Sequence, residues 1–234
     1  MFLFSLLSTN DDVTQIVTVI SAAACVLLLA VIALLCLKNK KAGGRYETKH
    51  IAFAGVTLAS SFVLSYLKVS PVLYGGSITL ASFVPLLLYT YIYGASEGLL
   101  VGLIFGLLNF ISGPYILTPM TFILDYLLAF ASIAVIGFFG KGKLADKSPV
   151  LAFTLGCIAV YATRFLFHLF SGFIYFSQGA IWVDFPTWAV SNAFIYSFIY
   201  QCVYLPADCF IACAVGALLV KTGILQRLEY SIKK

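Results

Sequence analysis

Long apolar stretches separated by short polar segments dominate this chain, and their lengths predict helices that cross a membrane. A membrane-spanning helix needs about 20 largely apolar residues, whereas membrane-spanning strands would give alternating segments of about ten residues. Seven stretches match the helical pattern, one of them short: Val13–Leu37, Ile51–Leu67, Ser77–Gly94, Leu99–Ile111, Leu117–Phe139, Val150–Phe176 and Trp188–Val220. The predicted fold class is therefore an all-α polytopic membrane protein.

Composition excludes an ordinary soluble domain. Of the 234 residues, 62% are hydrophobic and only 10% are charged, and the mean hydropathy is +1.05. A soluble domain carries about 25% charged residues. The formal net charge of +5 reflects membrane topology, and we expect no nucleic-acid partner.

The first apolar stretch is predicted to be a retained helix. A cleaved signal peptide has a basic start and an apolar core of about 7–15 residues. Here residues 1–12 contain no Lys or Arg, and the core Val13–Leu37 is longer. The predicted organisation is an extra N-terminal transmembrane helix with a cytoplasmic linker over residues 1–49, followed by a six-helix membrane domain over residues 50–234.

Basic residues predict the orientation. Cytoplasmic loops carry an excess of Lys and Arg, and seven spans place three basic clusters on one side of the cell membrane. The N-terminus is then expected outside and the C-terminus in the cytoplasm. The clusters are Lys38, Lys40, Lys41, Arg45 and Lys49, then Lys141, Lys143 and Lys147, then Lys221, Arg227, Lys233 and Lys234.

Ionisable residues inside apolar segments are the strongest functional signal. A charged side chain at the centre of a bilayer costs about 2.5–3.5 kcal/mol on insertion scales, so it usually faces a partner or a ligand. Asp125, His168 and Tyr196 each lie about 7–8 residues below the predicted outer end of a span, which is about 10–12 Å at the α-helical rise. Arg164 and Gln201 lie deeper. If these faces converge, they form an outward-opening pocket.

Aromatic residues are expected at the mouth of such a pocket. Tyr74 and Tyr115 fall in the first two predicted external loops, and Trp188 borders the third, beside Tyr175, Phe176 and Trp182. Interfacial aromatic belts explain some of them. Aromatic faces above a carboxylate suit a flat, cationic heteroaromatic ligand, which the rings stack on and the carboxylate hydrogen-bonds.

Several alternatives are disfavoured. The chain has no GxxxxGK[ST], so we expect no ATP hydrolysis by a P-loop. His168 and Ser171 share one helix without a GxSxG motif, which argues against an intramembrane enzyme. The six cysteines have no metal-ligand spacing such as CxxC, and we predict buried apolar roles for them, with no metal and no cofactor.

Two small-residue patterns allow close helix approach. For the stripe Gly98, Gly102 and Gly106, packing within the chain is the favoured interpretation. For Gly55 and Ala59, internal packing and contact with a partner helix stay equally open.

At this point the chain resembles the thiamine-specific S component of energy-coupling factor (ECF) vitamin transporters, over about residues 50–220. The block Arg164-Phe-Leu-Phe-His168-Leu-Phe-Ser171-Gly172 and the step Leu124-Asp125-Tyr126 are together fairly specific. The supporting passages are Gly75-Gly76-Ser77-Ile78-Thr79-Leu80 with Pro85, Gly98 to Gly106, Leu128-Ala129-Phe130, and Tyr196-Ser197 with Tyr200-Gln201, Tyr204 and Asp208.

The resemblance implies a six-helix protein that captures thiamine outside the cell, without being an enzyme. Its implied partners are a transmembrane scaffold (the T component) and two cytoplasmic ATPase subunits. Asp125 would hydrogen-bond the aminopyrimidine, and Gly55 and Ala59 would meet the scaffold. The other implied thiamine contacts are Tyr74, Tyr115, Tyr126, His168, Trp188, Tyr196 and Gln201.

Departures from the family leave alternatives open. Gln201 stands where the family usually has asparagine, and the first helix is additional to the usual six. Another vitamin, or a thiamine precursor, is therefore an alternative ligand. From the residues alone, Asp125 could instead form a structural ion pair with Arg164, and Asp208 is expected to make a structural or scaffold contact.

Overall fold

The computed structural model describes residues 48–70, 78–113, 119–177 and 187–224. The predicted first span and nearly all of its linker lie outside the described residues, as do Tyr74, Tyr115 and Trp182.

The described residues form a helical bundle with one small hairpin. We label the run of helical residues 119–138 α4. The elements are α1 (Thr48–Tyr66), β1 (Lys68–Ser70), β2 (Ile78–Thr79), α2 (Val84–Tyr93), α3 (Ala95–Ser112), α4, α5 (Lys143–Lys147), α6 (Pro149–Phe176), α7 (Thr187–Val190) and α8 (Ala193–Lys221). By length and composition, four of these helical runs can cross a membrane: α3, α4, α6 and α8. This confirms an all-α polytopic membrane protein.

The predicted span Ser77–Gly94 is wrong in its first part. Residues Ile78–Thr79 pair antiparallel with Lys68–Ser70, and α2 begins only at Val84, with Pro85 in its first turn. Proline favours that position because its φ is already helical and the missing N–H would be unpaired there. The next helix begins at Ala95 and not at Leu99, directly after the turn at Gly94.

Helix α4 is irregular where its polar residue lies. The predicted uninterrupted span Leu117–Phe139 is instead an α-helix at Pro119–Phe122, a π-helix at Ile123–Leu128, an α-helix at Ala129–Ala131 and a 3₁₀-helix at Ser132–Phe138. Asp125 lies in the π-helical part. Such wide turns are rare and frequently occur at functional sites.

The last predicted span, Trp188–Val220, is interrupted near its start. Helix α7 ends at Val190, and α8 begins at Ala193 after Asn192. The side chain of Asn192 accepts hydrogen bonds from the backbone N–H of Phe194 (2.9 Å) and of Ile195 (3.2 Å). This is the N-cap arrangement that asparagine favours. Residues after the break therefore lie closer to the end of the bundle than the sequence suggested.

The glycine stripe of α3 packs inside the chain, as predicted. A Cβ at Gly98 would clash with the side chain of Thr90, and one at Gly102 or Gly106 would clash with the backbone of α4. Because glycine has no side chain, α3 can approach α2 and α4 closely at these positions. By contrast, Gly55 has no atom within 4 Å of its Cβ position, and it lies with Ala59 on the exposed part of α1.

These contacts predict opposite effects for two helical Gly→Ala changes. Gly106→Ala should destabilise the protein by about 1–3 kcal/mol, because overpacking pushes α3 away from α4. Gly55→Ala should be neutral or slightly stabilising, since alanine is the better helix former. Thermal unfolding of both variants in detergent measures the difference. Equal melting temperatures would contradict close packing at Gly106.

Candidate functional site

A cavity of about 310 Å³ lies inside the bundle. It is lined by residues of α1, α3, α4, α6 and α8, of the two short strands and of the segment just before α2. The polar lining consists of Ser65, Lys68, Thr79, Ser82, Asn109, Ser112, Asp125, Arg164, His168, Ser171, Gln201 and Asp208, and the aromatic lining of Tyr66, Phe83, Phe105, Tyr126, Phe130, Tyr175, Phe176, Tyr200 and Tyr204.

Asp125 is held by two side chains of α6. His168 Nδ1 lies 2.7 Å from Asp125 Oδ1, and Ser171 Oγ donates to Asp125 Oδ2. Both partners are presented from one face of α6, since residues three apart are neighbours on a helix surface. The carboxylate keeps further lone pairs, and its side chain remains 30% exposed. Asp125 is therefore fixed in position and open to the cavity.

The hydrogen bonds of His168 define its tautomer. Arg164 Nε lies 3.1 Å from His168 Nε2, and a guanidinium nitrogen can only donate. Nε2 is therefore the acceptor, and the proton is on Nδ1, from which it is donated to Asp125. The imidazole is neutral in this arrangement and links Arg164 to Asp125.

Arg164 does not pair directly with Asp125. Its guanidinium lies over the rings of Phe83 (4.2 Å) and Phe130 (5.0 Å), and its Nη1 is 4.0 Å from Asp208 Oδ2. That distance allows an ion pair but is longer than a hydrogen bond. Asp208 is thus the counter-ion of Arg164. The ion pair with Asp125 that the sequence left open is not formed, because His168 lies between the two residues.

Asp208 is a buried structural junction. One oxygen accepts hydrogen bonds from the backbone N–H and the hydroxyl of Thr79, each at 3.1 Å. The other accepts from the hydroxyl of Tyr161 at 2.7 Å. With 6% exposure, Asp208 joins the β-hairpin to α6 and α8. This confirms its expected structural role and leaves its carboxylate no surface for a scaffold.

Gln201 lies at the level of His168. Its Nε2 donates to the backbone oxygen of His168 at 3.2 Å, and its Oε1 accepts from Tyr204 at 2.6 Å. The amide nitrogen can donate two hydrogen bonds, and this contact uses one of them. Gln201 thereby fixes α8 against α6 beside the cavity.

The structure brings four predicted ligand contacts to the cavity and leaves two other described ones, Tyr196 and Trp188, outside its lining. Asp125, Tyr126, His168 and Gln201 line it. Tyr196 is 1% exposed and packs edge-on against Phe176, with ring centroids 4.4 Å apart. Trp188 is 62% exposed and is not part of the lining. Tyr74 and Tyr115 lie outside the described residues.

The position of Tyr196 has a simple geometric cause. Its predicted depth was measured from Trp188, but α8 begins at Ala193. Tyr196 is therefore about one turn from the helix start, and Tyr200 and Gln201 are about two turns from it. These two, and not Tyr196, lie at the level of Asp125 and His168. The expected greater depth of Gln201 is thus wrong for the same reason.

Several lining residues were not predicted as ligand contacts. Tyr200 and Tyr204 share a face of α8 with Gln201 and Asp208, and this i, i+4 spacing of polar residues in an apolar helix was the available signal. Ser171, three residues after His168, carried the same signal on α6. Asn109 and Ser65 carried none beyond being polar near helix ends.

The site has the features of binding and not of nucleophilic catalysis. The hydroxyl of Ser171 donates to Asp125 and not to His168, so the hydroxyl–imidazole contact of a serine nucleophile is not formed. Besides the exposed Lys68 and the pair Arg164 and Asp208, the cavity offers a carboxylate with free acceptor capacity, neutral donors and many aromatic faces.

Fold and cavity together define a polytopic helical membrane protein with a polar cavity inside its bundle. Residues 51–226 match the family model described as thiamine transporter protein (Thia_YuaJ), and the chain belongs to this family. The predicted resemblance is thereby confirmed, as is the prediction that the chain is not an enzyme.

Two relatives show the extent of the similarity. The chain is 32% identical over 153 residues to the thiamine transporter ThiT of Bacillus subtilis (strain 168), a match that covers 60% of this chain and 72% of that protein. A solved structure of ThiT from Listeria monocytogenes shares the fold, with a TM-score of 0.63 and 24% identity, and the match covers 74% of this chain and 93% of that one.

The Asp208 network predicts a large stability effect. Asp208→Asn should destabilise the protein by about 3–5 kcal/mol, because it leaves the buried charge of Arg164 without its counter-ion. The exposed Asp146 of α5 provides a matched control, and Asp146→Asn should stay within about 0.5 kcal/mol. Thermal unfolding in detergent compares them. Equal stability of the two variants would show that Asp208 does not compensate Arg164.

Proposed function

We propose that this chain is the thiamine-binding S component of an ECF-type vitamin importer. The observation that carries this proposal is the open, prealigned carboxylate of Asp125 on the wall of an aromatic-lined cavity. Membership of a thiamine transporter family gives the ligand class. The cavity volume of about 310 Å³ lies at the lower end of the range typical for small-molecule sites.

The charge distribution of the cavity suits a cation. Lys68 also lines the cavity, but its side chain is exposed. Among the less exposed charged groups, Arg164 is offset by Asp208 and the His168 tautomer adds no charge, so Asp125 remains the carboxylate without a charged partner. Thiamine carries a permanent positive charge on its thiazolium ring. A desolvated cavity strengthens the attraction between that charge and the carboxylate.

Asp125 also matches the hydrogen-bonding groups of thiamine. The exocyclic amine of the aminopyrimidine is a donor, and an ionised carboxylate is an acceptor at both oxygens. His168 and Ser171 hold the carboxylate in place before the ligand arrives, so binding requires little reordering of Asp125. The second N–H of Gln201 is available to a ring nitrogen or hydroxyl of the ligand.

Aromatic rings supply the remaining contact area. Tyr126, Phe176 and Tyr200 line the cavity and can stack on the two flat rings of thiamine, with a cation–π contribution from the thiazolium. In this proposal Tyr74, Tyr115 and Trp188 complete the mouth, and Tyr196 supports the wall from behind Phe176.

Transport requires partners that this chain would meet through α1. Its exposed side includes Gly55, Ala59, Val56 (69% exposed) and Val63 (64% exposed). Small residues on such a face permit close helix approach. The proposed partners are a T component and two cytoplasmic ATPases, since the chain has no P-loop of its own. The cavity would open outside, with the C-terminus in the cytoplasm.

Removing the charge of Asp125 is the most direct test of binding. Asp125→Asn should weaken thiamine binding by about 2–5 kcal/mol, or roughly 30-fold or more, because a buried charged hydrogen bond loses one partner. Isothermal titration of purified protein measures the affinity, with Asp146→Asn as the control that should bind like the parent.

The same titration tests the ligand. Riboflavin and the isolated aminopyrimidine precursor of thiamine should bind more weakly than thiamine, because neither presents both the aminopyrimidine and the thiazolium charge. If folded Asp125→Asn protein binds thiamine as tightly as the parent protein, Asp125 is not the main polar contact of the ligand and the proposal is contradicted. Tighter binding of the precursor would reassign the substrate.

A bulky residue on α1 should separate binding from transport. Ala59→Trp is expected to keep thiamine affinity and to abolish thiamine accumulation in vesicles that contain this chain, the T component and both ATPases. Leu218→Trp, at an exposed apolar position of α8 (64% exposed), is the control that should transport normally. Vesicles with this chain alone should not concentrate thiamine. Normal transport by Ala59→Trp would exclude this surface as the coupling site.

A further inference from the structure

Three cysteines from two helices converge at a place distinct from the cavity. Cys157 of α6 and Cys209 and Cys213 of α8 have their sulfur atoms within 4.8 Å of one another. The Sγ atoms of Cys209 and Cys213 are 3.9 Å apart. None of the three lines the cavity. Sequence spacing missed this cluster, because only two of its members lie on one helix.

The cluster is produced by the packing of α6 against α8. Cys209 and Cys213 are four residues apart and therefore neighbours on the helix surface. Cys157 lies eight residues after Pro149, where α6 begins, and Cys213 eight residues before Lys221, where α8 ends. Both are about 12 Å from the same end of the bundle. Two antiparallel helices thus place Cys157 level with Cys213, and Cys209 lies about one turn farther from that end.

The spacing of the sulfur atoms fits a shared metal ion. With metal–sulfur bonds of about 2.3 Å, three thiolates around one ion have their sulfur atoms about 3.8–4.0 Å apart. The pair Cys209 and Cys213 already has this separation, and the farthest pair needs to close by less than about 1 Å.

We propose that Cys157, Cys209 and Cys213 form a site for one soft, thiophilic metal ion of the Cu(I) type. Sulfur ligands select soft ions, and within the described ranges no fourth His, Cys, Asp or Glu completes the group, whereas structural zinc takes four ligands. Asp208 precedes Cys209 but directs its oxygens to Thr79 and Tyr161.

Binding would be an exchange of protons for metal. Cu(I) replaces thiol protons, these are released to the solvent, and neither copper nor sulfur changes its oxidation state. Cys157 is fully buried, while Cys209 and Cys213 are partly exposed, so the ion would enter from the side of α8. The bound ion would join α6 to α8 next to Asp208, outside the lining of the cavity.

The test uses full-length protein in which the other cysteines are replaced. The background variant carries Cys25→Ser, Cys36→Ser and Cys202→Ser, so that only the three clustered thiols remain. It is kept reduced and anaerobic in detergent and titrated with Cu(I) held by a competing colorimetric chelator. We expect one Cu(I) per chain, an X-ray absorption spectrum of three sulfur ligands, and a raised melting temperature.

Single changes in this background provide the matched controls. Cys157→Ser and, independently, Cys213→Ser should each weaken Cu(I) binding at least about 10- to 100-fold. That loss is typical even when the mutated residue only hydrogen-bonds a metal ligand. Circular dichroism and a single elution peak establish folding. No uptake from the chelator by the background variant, unchanged affinity in a folded single variant, or a two-sulfur spectrum would overturn the proposal. Because the three cysteines do not line the cavity, thiamine titration of the same samples tests the proposed function separately from metal binding.

Discussion

The buried charge of Arg164 is the constraint on which the arrangement of polar groups depends. An uncompensated charge in a membrane-embedded bundle would cost several kcal/mol, so its surroundings must supply acceptors. Asp208 supplies a counter-charge, Phe83 and Phe130 supply aromatic faces, and the Nε2 atom of His168 supplies a neutral acceptor. The tautomer of His168 follows from the hydrogen bond with this one side chain, and the ion pair of Arg164 with Asp208 adds a contact between α6 and α8.

The same compensation leaves the cavity with an available carboxylate. If Arg164 paired with Asp125, both charges would be used and the wall would offer a cation no partner. Because Asp208 takes that role, Asp125 receives only neutral donors, from His168 and Ser171. The structural role of Asp208 on α8 and the proposed binding role of Asp125 on α4 thus fall to two acidic residues on different helices.

Much of this arrangement is predictable from sequence, and the failures have identifiable physical causes. Apolar length identifies the helical segments, and ionisable residues within them identify Asp125 and His168, whose helix ends were predicted within a few residues. The depth of a residue along a helix is counted from the helix start, so an error in the start becomes an error in depth. The N-cap Asn192 places the start of α8 after Trp188, and the depth predicted for Tyr196 was therefore wrong. Contacts between helices, such as Arg164 with Asp208 or the three clustered thiols, leave no spacing pattern in one segment.

The irregular elements complete the argument for a preformed site. The hairpin replaces part of a predicted span, and the backbone of Thr79 is tied to Asp208. The π-helical part of α4 carries Asp125, which lies opposite His168 and Ser171, three residues apart on α6. These two deviations from a straight helix thus each place a polar group, Thr79 and Asp125, at the cavity and are held by hydrogen bonds across elements. A wall ordered in this way loses little conformational entropy when a ligand binds, so more of the interaction energy with Asp125 remains as affinity.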